Sequence, residues 1–162
     1  MDKRLKFVTY GAVLLALAAV FPLLRLPQYV TGSAVNFVLI ISAYVLGVWG
    51  GVAIGCLTPW IALIAGQMPF VFMPPFIMIG NAVLVISFGI LKRFKLGGMI
   101  AGIIVGALLK FAFLSFAVRY LVKAPPKLVA MMSLPQLITA LIGGVLALIV
   151  IQTKLLPEEI LK

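Results

Sequence analysis

The feature that most constrains this chain is a series of six apolar runs, none of which contains an acidic residue. The runs cover approximately residues 6–24, 32–47, 51–67, 75–91, 97–121 and 134–153. A helix needs about 20 residues to cross the hydrocarbon core of a bilayer, within a range of about 17–25. The chain is 65% hydrophobic and 10% charged, whereas soluble domains are about half apolar and about a quarter charged. The sequence therefore predicts an all-α integral membrane protein, a six-helix bundle that forms a single domain over residues 1–162.

The basic residues predict how this bundle is oriented. Cytoplasmic loops of membrane proteins are enriched in Lys and Arg, so the basic clusters at residues 3–6 and 92–95 should share the cytoplasmic face. That requires an even number of spans between them, which holds only if residues 32–67 form two helices separated near "GVWGG" (47–51). The pattern favours six spans with both termini cytoplasmic. We interpret the net charge of +10 as basic residues that set the orientation in the membrane and attract anionic lipid, not as a nucleic-acid-binding surface.

The small number and terminal position of the acidic residues argue against several functions. They are Asp2, Glu158 and Glu159, all near the termini, and the chain has no histidine. Proton relays and cation pathways in membranes are usually built from Asp, Glu or His, so a pump that works alone is not expected. No nucleotide-binding motif or zinc-ligand spacing is present. We therefore predict no catalytic residues, no cofactor and no metal site.

Lys110 is the most informative polar residue, because it lies inside the fifth apolar run. At 1.5 Å per residue its depth is about 10 Å below the outer surface of a ~30 Å core. A charged lysine costs about 2.5–3.5 kcal/mol at mid-bilayer, so it should either snorkel to the surface or face a cavity that holds water or a ligand. Gly102 and Gly106 fall on the same helical face and would leave room beside its stem.

Other polar or aromatic residues share the outer half of the membrane and complete the predicted substrate-binding set. Asn36 could instead bridge helices. Gln136 could have a local backbone role at the start of a helix after Pro135, and Trp60 could simply pack beside a proline kink. The predicted substrate-binding residues are Lys110, Asn81, Asn36, Gln136, Gln67 and Trp60.

The predicted outer loops, residues 24–32, 67–75 and 122–134, are rich in Pro and in apolar side chains. They are apolar enough to fold back as lids, although an interfacial aromatic belt would have a similar composition. Nearby basic residues would favour an anionic substrate or one that carries a carboxylate. These residues are Arg25, Arg119, Lys123 and Lys127.

At this point the chain resembles the substrate-binding S components of energy-coupling factor (ECF) vitamin transporters. The local matches are "AVLLA", from Ala12 to Ala16, which fits the family's Ala-x-x-x-Ala motif, and the segment 26–66. The resemblance implies a bacterial plasma-membrane protein that binds a vitamin or related micronutrient beneath its outer loops. It also implies a transmembrane coupling (T) protein, which would pack on Ala12 and Ala16, and two ATPase subunits as partners.

Two other classes of protein fit the composition less well. A structural scaffold of the MreD-like cell-shape type has a similar size and number of spans, and would bind a filamentous partner and no small ligand. A membrane-embedded enzyme would need an acid–base pair, which the apolar runs do not contain. Within the transporter class the substrate is left open, with a metal ion the least expected because hard ligands and histidines are missing.

Overall fold

A computed structural model describes residues 2–68 and 70–156, and in these residues it contains helices and no strand. The prediction of an all-α protein is confirmed. A 3₁₀ turn (Lys92–Phe94) joins α4 to α5, and a π-helical turn (Ala117–Leu121) follows α5. The α-helices are α1 (Lys3–Leu23), α2 (Gln28–Val45), α3 (Gly47–Ile64), α4 (Pro74–Leu91), α5 (Lys95–Phe116), α6 (Pro126–Met131) and α7 (Leu134–Gln152).

Proline and glycine mark where these helices begin and end. Pro74 and Pro126 each open a helix, at the position where a missing N–H costs nothing. Gly47 has a φ of 78°, a conformation that glycine adopts without strain, and it separates α2 from α3 with almost no loop. Residues 28–64 therefore form two helices, as the parity of the basic clusters requires. The short helix α6 lies inside the segment that we expected to be a loop.

Five continuous helical stretches are long and apolar enough to cross a membrane, in the part of the chain that the structure describes. One of them, Pro74–Leu121, is 48 residues long and combines α4 with α5. It folds back on itself, because Gly102 packs against Phe88 and Gly106 packs against Leu84. The number of membrane crossings and the side on which the termini lie remain predictions.

The helices define two ends of the bundle. At the basic end, Phe7 lies beside Gly50, and Lys92 donates to the carbonyl of Ala43 at 2.7 Å, close to the end of α2. Cations are favourable at a helix C-terminus. The two basic clusters thus share this end with the α2–α3 turn. The opposite end, here called the cavity end, carries the connections at 24–27, 65–73 and 122–133.

Buried apolar side chains form two clusters. The larger one lies between the long helices and includes Leu39, Leu84 and Phe88, which are fully buried. The smaller one lies at the cavity end and joins Met73 and Val118 to side chains of the 122–133 connection. The apolar connections therefore pack onto the bundle and bury their side chains there.

Candidate functional site

A cavity of about 260 Å³ lies at the cavity end. Its lower wall comes from α2, α3, α4 and α5, and its upper wall from the connections between helices. The lining combines methionine, phenylalanine and aliphatic side chains with a small number of polar groups. Small-molecule sites in proteins have this composition, with a few placed polar groups in a mainly apolar pocket.

Lys110 lies on the cavity wall and is 2% exposed. Its Nζ donates to Oδ1 of Asn36 at 2.7 Å and to Oδ1 of Asn81 at 2.8 Å. The prediction that it would either snorkel or face a cavity is resolved in favour of the cavity, since a snorkelling ammonium would be exposed. Its two amide partners were predicted as site residues, but their direct bonds to the ammonium were not.

Each asparagine is itself held in place by a neighbouring helix. Nδ2 of Asn36 donates to the Gly32 carbonyl at 2.9 Å and faces the Thr139 hydroxyl of α7 at 3.4 Å. Nδ2 of Asn81 donates to the Gly55 carbonyl of α3 at 2.9 Å. With their nitrogens committed in this way, both amides turn an oxygen toward the ammonium. Hydrogen bonds to a charged group are stronger than neutral ones, so this network ties α2, α3, α4, α5 and α7 together.

Space for the lysine stem comes from Gly80 of α4, not from the glycines that we expected. A methyl group at Gly80 would lie 3.2 Å from Cγ of Lys110. Gly102 and Gly106 instead let α5 approach the backbone of α4 closely. The expectation was wrong because it considered only the helix that carries the lysine, whereas the close contact is made across the α4–α5 interface.

The charge of Lys110 has no carboxylate partner among the residues that the structure describes. Asp2, the one acidic residue in that part of the chain, caps α1 at the opposite end of the bundle. An ammonium offers three hydrogen-bond donors, and two are used by Asn36 and Asn81. The described hydrogen-bond partners of Lys110 Nζ are therefore two neutral amide oxygens, and a protonated amino group would keep one donor for a ligand.

The remaining predicted residues divide into two groups. Gln67 and Gln136 line the cavity, and Nε2 of Gln136 lies 3.6 Å from the sulfur of Met132. Trp60 is 41% exposed and does not line the cavity; its Nε1 donates to the sulfur of Met78. The structure thus brings five of the six predicted residues together around the cavity and places Trp60 outside it.

Sequence reasoning missed four polar residues of the cavity region, of which Thr31 is one. Thr139 faces Asn36 from α7, and Thr58 and Gln28 line the cavity. Thr139 lies one helical turn after Gln136, so the same face of α7 could have been extended to it. Gln28 gave less signal, because it follows Pro27 in a segment that we expected to be a loop.

The connections at the cavity end meet over the cavity. Leu26 comes from the first, Met68 and Phe70 from the second, and α6 with its flanking residues from the third. Nε2 of Gln28, the first residue of α2 after the first connection, donates to the Met131 carbonyl of the third connection at 2.6 Å. Together they form a roof of apolar side chains fastened by at least one hydrogen bond.

The two alanines predicted to contact a partner protein are exposed. Ala12 and Ala16 are one turn apart on α1, so they lie on the same helical face. Of the stretches able to cross a membrane, α1 is buried least, at 17% of its most apolar window. A face of small exposed residues lets another helix approach closely.

Comparison with known proteins decides among the classes that the sequence left open. A family model described as "ECF transporter, substrate-specific component" matches residues 6–153. The chain belongs to this family. Neither a curated protein nor a solved structure matches the chain.

As an ECF substrate-specific component, the chain is a multi-pass membrane protein and a transport subunit, not an enzyme. The family implies a small-molecule substrate and an energy-coupling module that contains a T protein and ATPases. It does not specify the substrate, so the chemistry of the cavity becomes the best guide to what is bound.

Proposed function

We propose that this S component captures a vitamin or related micronutrient in the cavity at the outer end of its bundle, in the plasma membrane of a bacterium. The substrate lies beneath the connections at 24–27, 65–73 and 122–133, and separate ATPase subunits drive its import. The single observation that carries this proposal is Lys110, a buried lysine on the wall of a 260 Å³ cavity, held by Asn36 and Asn81.

The polarity of the cavity supports a substrate-binding role. A helix bundle needs no cationic side chain in its interior for stability, because burying a charge is costly. Buried ionisable residues in membrane proteins usually face a pathway or a ligand. Lys110 would attract a substrate with negative charge, and Gln67 and Gln136 would contribute neutral hydrogen bonds. We therefore propose an anionic substrate for this site.

The composition and position of the roof favour its acting as a lid that opens to admit substrate. It is built from connections, which move more easily than packed helices, and the Gln28–Met131 bond is one contact that must break when the first and third connections separate. Methionines such as Met68 and Met132 adapt their shape to a ligand. The proposed lid function rests on this composition and on the position of the roof over Lys110.

The exposed face of α1 supports a coupling role. Ala12 and Ala16 leave a shallow strip on which a helix of the T protein can pack. The cavity lies at the far end of α1, where Pro22 contributes to its wall. Substrate binding and partner docking would therefore use different parts of the same helix.

Mass spectrometry of small molecules that the purified protein retains tests this function. The comparison includes wild type, Lys110→Met and Lys6→Met, since Lys6 is exposed at the basic end of the bundle and lies outside the cavity lining. We expect wild type and Lys6→Met to release the same micronutrient on denaturation, and Lys110→Met to release much less. A wild-type protein that carries no such molecule and binds no vitamin added back would contradict the proposal.

A further inference from the structure

Resting on the proposed function, we infer that the substrate is an unphosphorylated molecule with one carboxylate, which it points toward Lys110. The rest of the molecule is a small apolar body with a neutral hydrogen-bonding group near the roof. This inference goes beyond an anionic substrate, because it specifies the number of charges, the chemical group that carries them and the orientation of the bound molecule.

The number of charges follows from the charge of the cavity. Among the described residues, Lys110 is the one charged side chain in the cavity lining. Arg25, Lys123 and Lys127 are exposed and do not line the cavity. A substrate with one negative charge would make the filled cavity neutral. A phosphate ester carries a charge of about −1.5 to −2 near neutral pH, so it would leave a net negative charge in a mainly apolar site, which is unfavourable.

The chemical group follows from the available donors. Two of the three Lys110 donors are bonded to the asparagines, and both asparagine nitrogens face acceptors of their own. The Thr58 hydroxyl donates to the carbonyl of Ile54. An amide nitrogen carries two N–H groups, and Asn81 uses one of its two, so this inventory leaves about two N–H donors on the floor of the cavity, the third of Lys110 and the second of Asn81. The two oxygens of a carboxylate can each accept one of them, whereas a phosphate group has three oxygens to satisfy.

The orientation follows from the opposite end of the cavity. Gln67 and Gln136 belong to the roof side, at the end of α3 and the start of α7, and their amides are neutral. The rest of the lining is largely apolar and includes Phe70, Ile77 and Met132. The polar groups of the substrate should therefore lie at its two ends, with the charged end deepest.

The volume limits the size of the substrate. The cavity has a volume of about 260 Å³. It lies below the usual range of about 300–1,000 Å³ for ligand pockets. A molecule with a single ring or a short branched chain matches this space, whereas a fused multi-ring compound would require the roof to open further.

A matched set of probes tests the inference directly. Phenylacetate, phenylacetamide, phenyl phosphate and phenethylamine share one ring and differ in the charged group. Their binding to the purified full-length protein is measured as the ligand-dependent shift in melting temperature at about pH 7.5, where a phosphate ester is mainly dianionic because its second pKa is about 6. We expect phenylacetate to bind at least about tenfold more tightly than the amide, since a hydrogen bond to a charged group is worth that much.

Variants of Lys110 distinguish the effect of its charge on binding from an effect on folding. Lys110→Met should bind phenylacetate and phenylacetamide equally, Lys110→Arg should keep a preference for the acid, and Lys6→Met, at the basic end of the bundle, should behave as wild type. If Lys110→Met does not fold, the ranking of the four probes on wild type decides the matter. Equal or tighter binding of the amide, amine or phosphate, or no shift with any probe, overturns the inference. The proposed function fails separately, if no micronutrient is retained or bound.

Discussion

Oδ1 of Asn36 lies 2.7 Å from Nζ of Lys110, although 74 positions separate the two residues in the chain. The bond joins α2 to α5 across the floor of the cavity. Asn81 makes the equivalent bond from α4 at 2.8 Å. The ammonium is therefore both the charge of the candidate site and a link among the helices that form its wall, so a ligand that competes for it would also affect how these helices pack.

The first prediction concerns the free energy of unfolding when one amide is removed. Asn81→Leu leaves the Lys110 ammonium buried with one fewer acceptor and leaves the Gly55 carbonyl without its side-chain donor. We expect a loss of about 1–3 kcal/mol, because a buried polar group that loses its partner bears most of its desolvation cost. Reversible unfolding in detergent measures this change.

The double mutant shows whether the loss comes from the ion–amide contact. Asn81→Leu combined with Lys110→Met removes both partners, and the change should be smaller than the sum of the single changes by about 0.5–3 kcal/mol. Additive single and double changes would contradict a direct coupling between the two side chains.

The second prediction concerns the hydrogen bond between the connections of the roof. Gln28→Leu removes the donor to the Met131 carbonyl, and a typical hydrogen bond contributes about 0.5–1.5 kcal/mol. We expect the bound micronutrient to dissociate about 2- to 10-fold faster, because each 1.4 kcal/mol corresponds to tenfold. Dissociation is followed by chasing labelled substrate with an excess of unlabelled substrate.

Tyr29→Phe is the matched control for Gln28→Leu. Tyr29 is the next residue of α2, is 51% exposed and does not line the cavity. Its substitution should leave the dissociation rate unchanged. If Gln28→Leu also leaves the rate unchanged, the Gln28–Met131 bond does not hold the roof closed over the ligand.

The positions of the long helices could be predicted from the apolar runs, because runs of this length satisfy their backbone only as helices in lipid. That Lys110, Asn36 and Asn81 lie at similar heights along the bundle was also predictable, from the rise per residue alone. Their mutual bonds were not, because these depend on how each helix is rotated about its own axis, and low contrast between faces leaves that rotation undetermined.

The same limit explains the residues that were misplaced or missed. Trp60 lies at a plausible depth, but its helix turns it outward to Met78. Gly80 makes room for Lys110 from a different helix. The helix α6 was missed because its six residues, Pro126–Met131, are too few to form a periodic pattern and begin after two prolines in a row.

The third prediction uses two glycines to test helix packing. A methyl group at Gly143 of α7 would lie 2.5 Å from the Ser33 carbonyl oxygen and 2.7 Å from the Phe37 nitrogen, both backbone atoms of α2. Gly143→Ala should destabilise the protein by about 1–3 kcal/mol through overpacking. Its thermal unfolding in detergent is compared with that of Gly97→Ala.

Gly97 is the appropriate control because a methyl group there would meet no atom within 4 Å in the described structure beyond its own helix and neighbours. Gly97→Ala should be neutral or stabilise by up to about 1 kcal/mol, the difference in helix propensity. Equal effects at the two positions would contradict the close approach of α2 and α7.

The last prediction concerns the face of α1 that we propose for the T protein. Ala12→Leu with Ala16→Leu adds bulk to an exposed strip and removes no core contact, since both residues are exposed. Helices that approach through small residues cannot do so once large ones replace them. We expect the variant to keep its retained micronutrient and to lose most of its co-purification with the T protein and the ATPases. Val13→Leu, at an exposed position next to Ala12 on a different helical face, should co-purify as wild type does. Undiminished co-purification of the double variant would place the coupling surface elsewhere on the bundle, whereas loss of the bound molecule as well would show that this strip of α1 also supports the cavity.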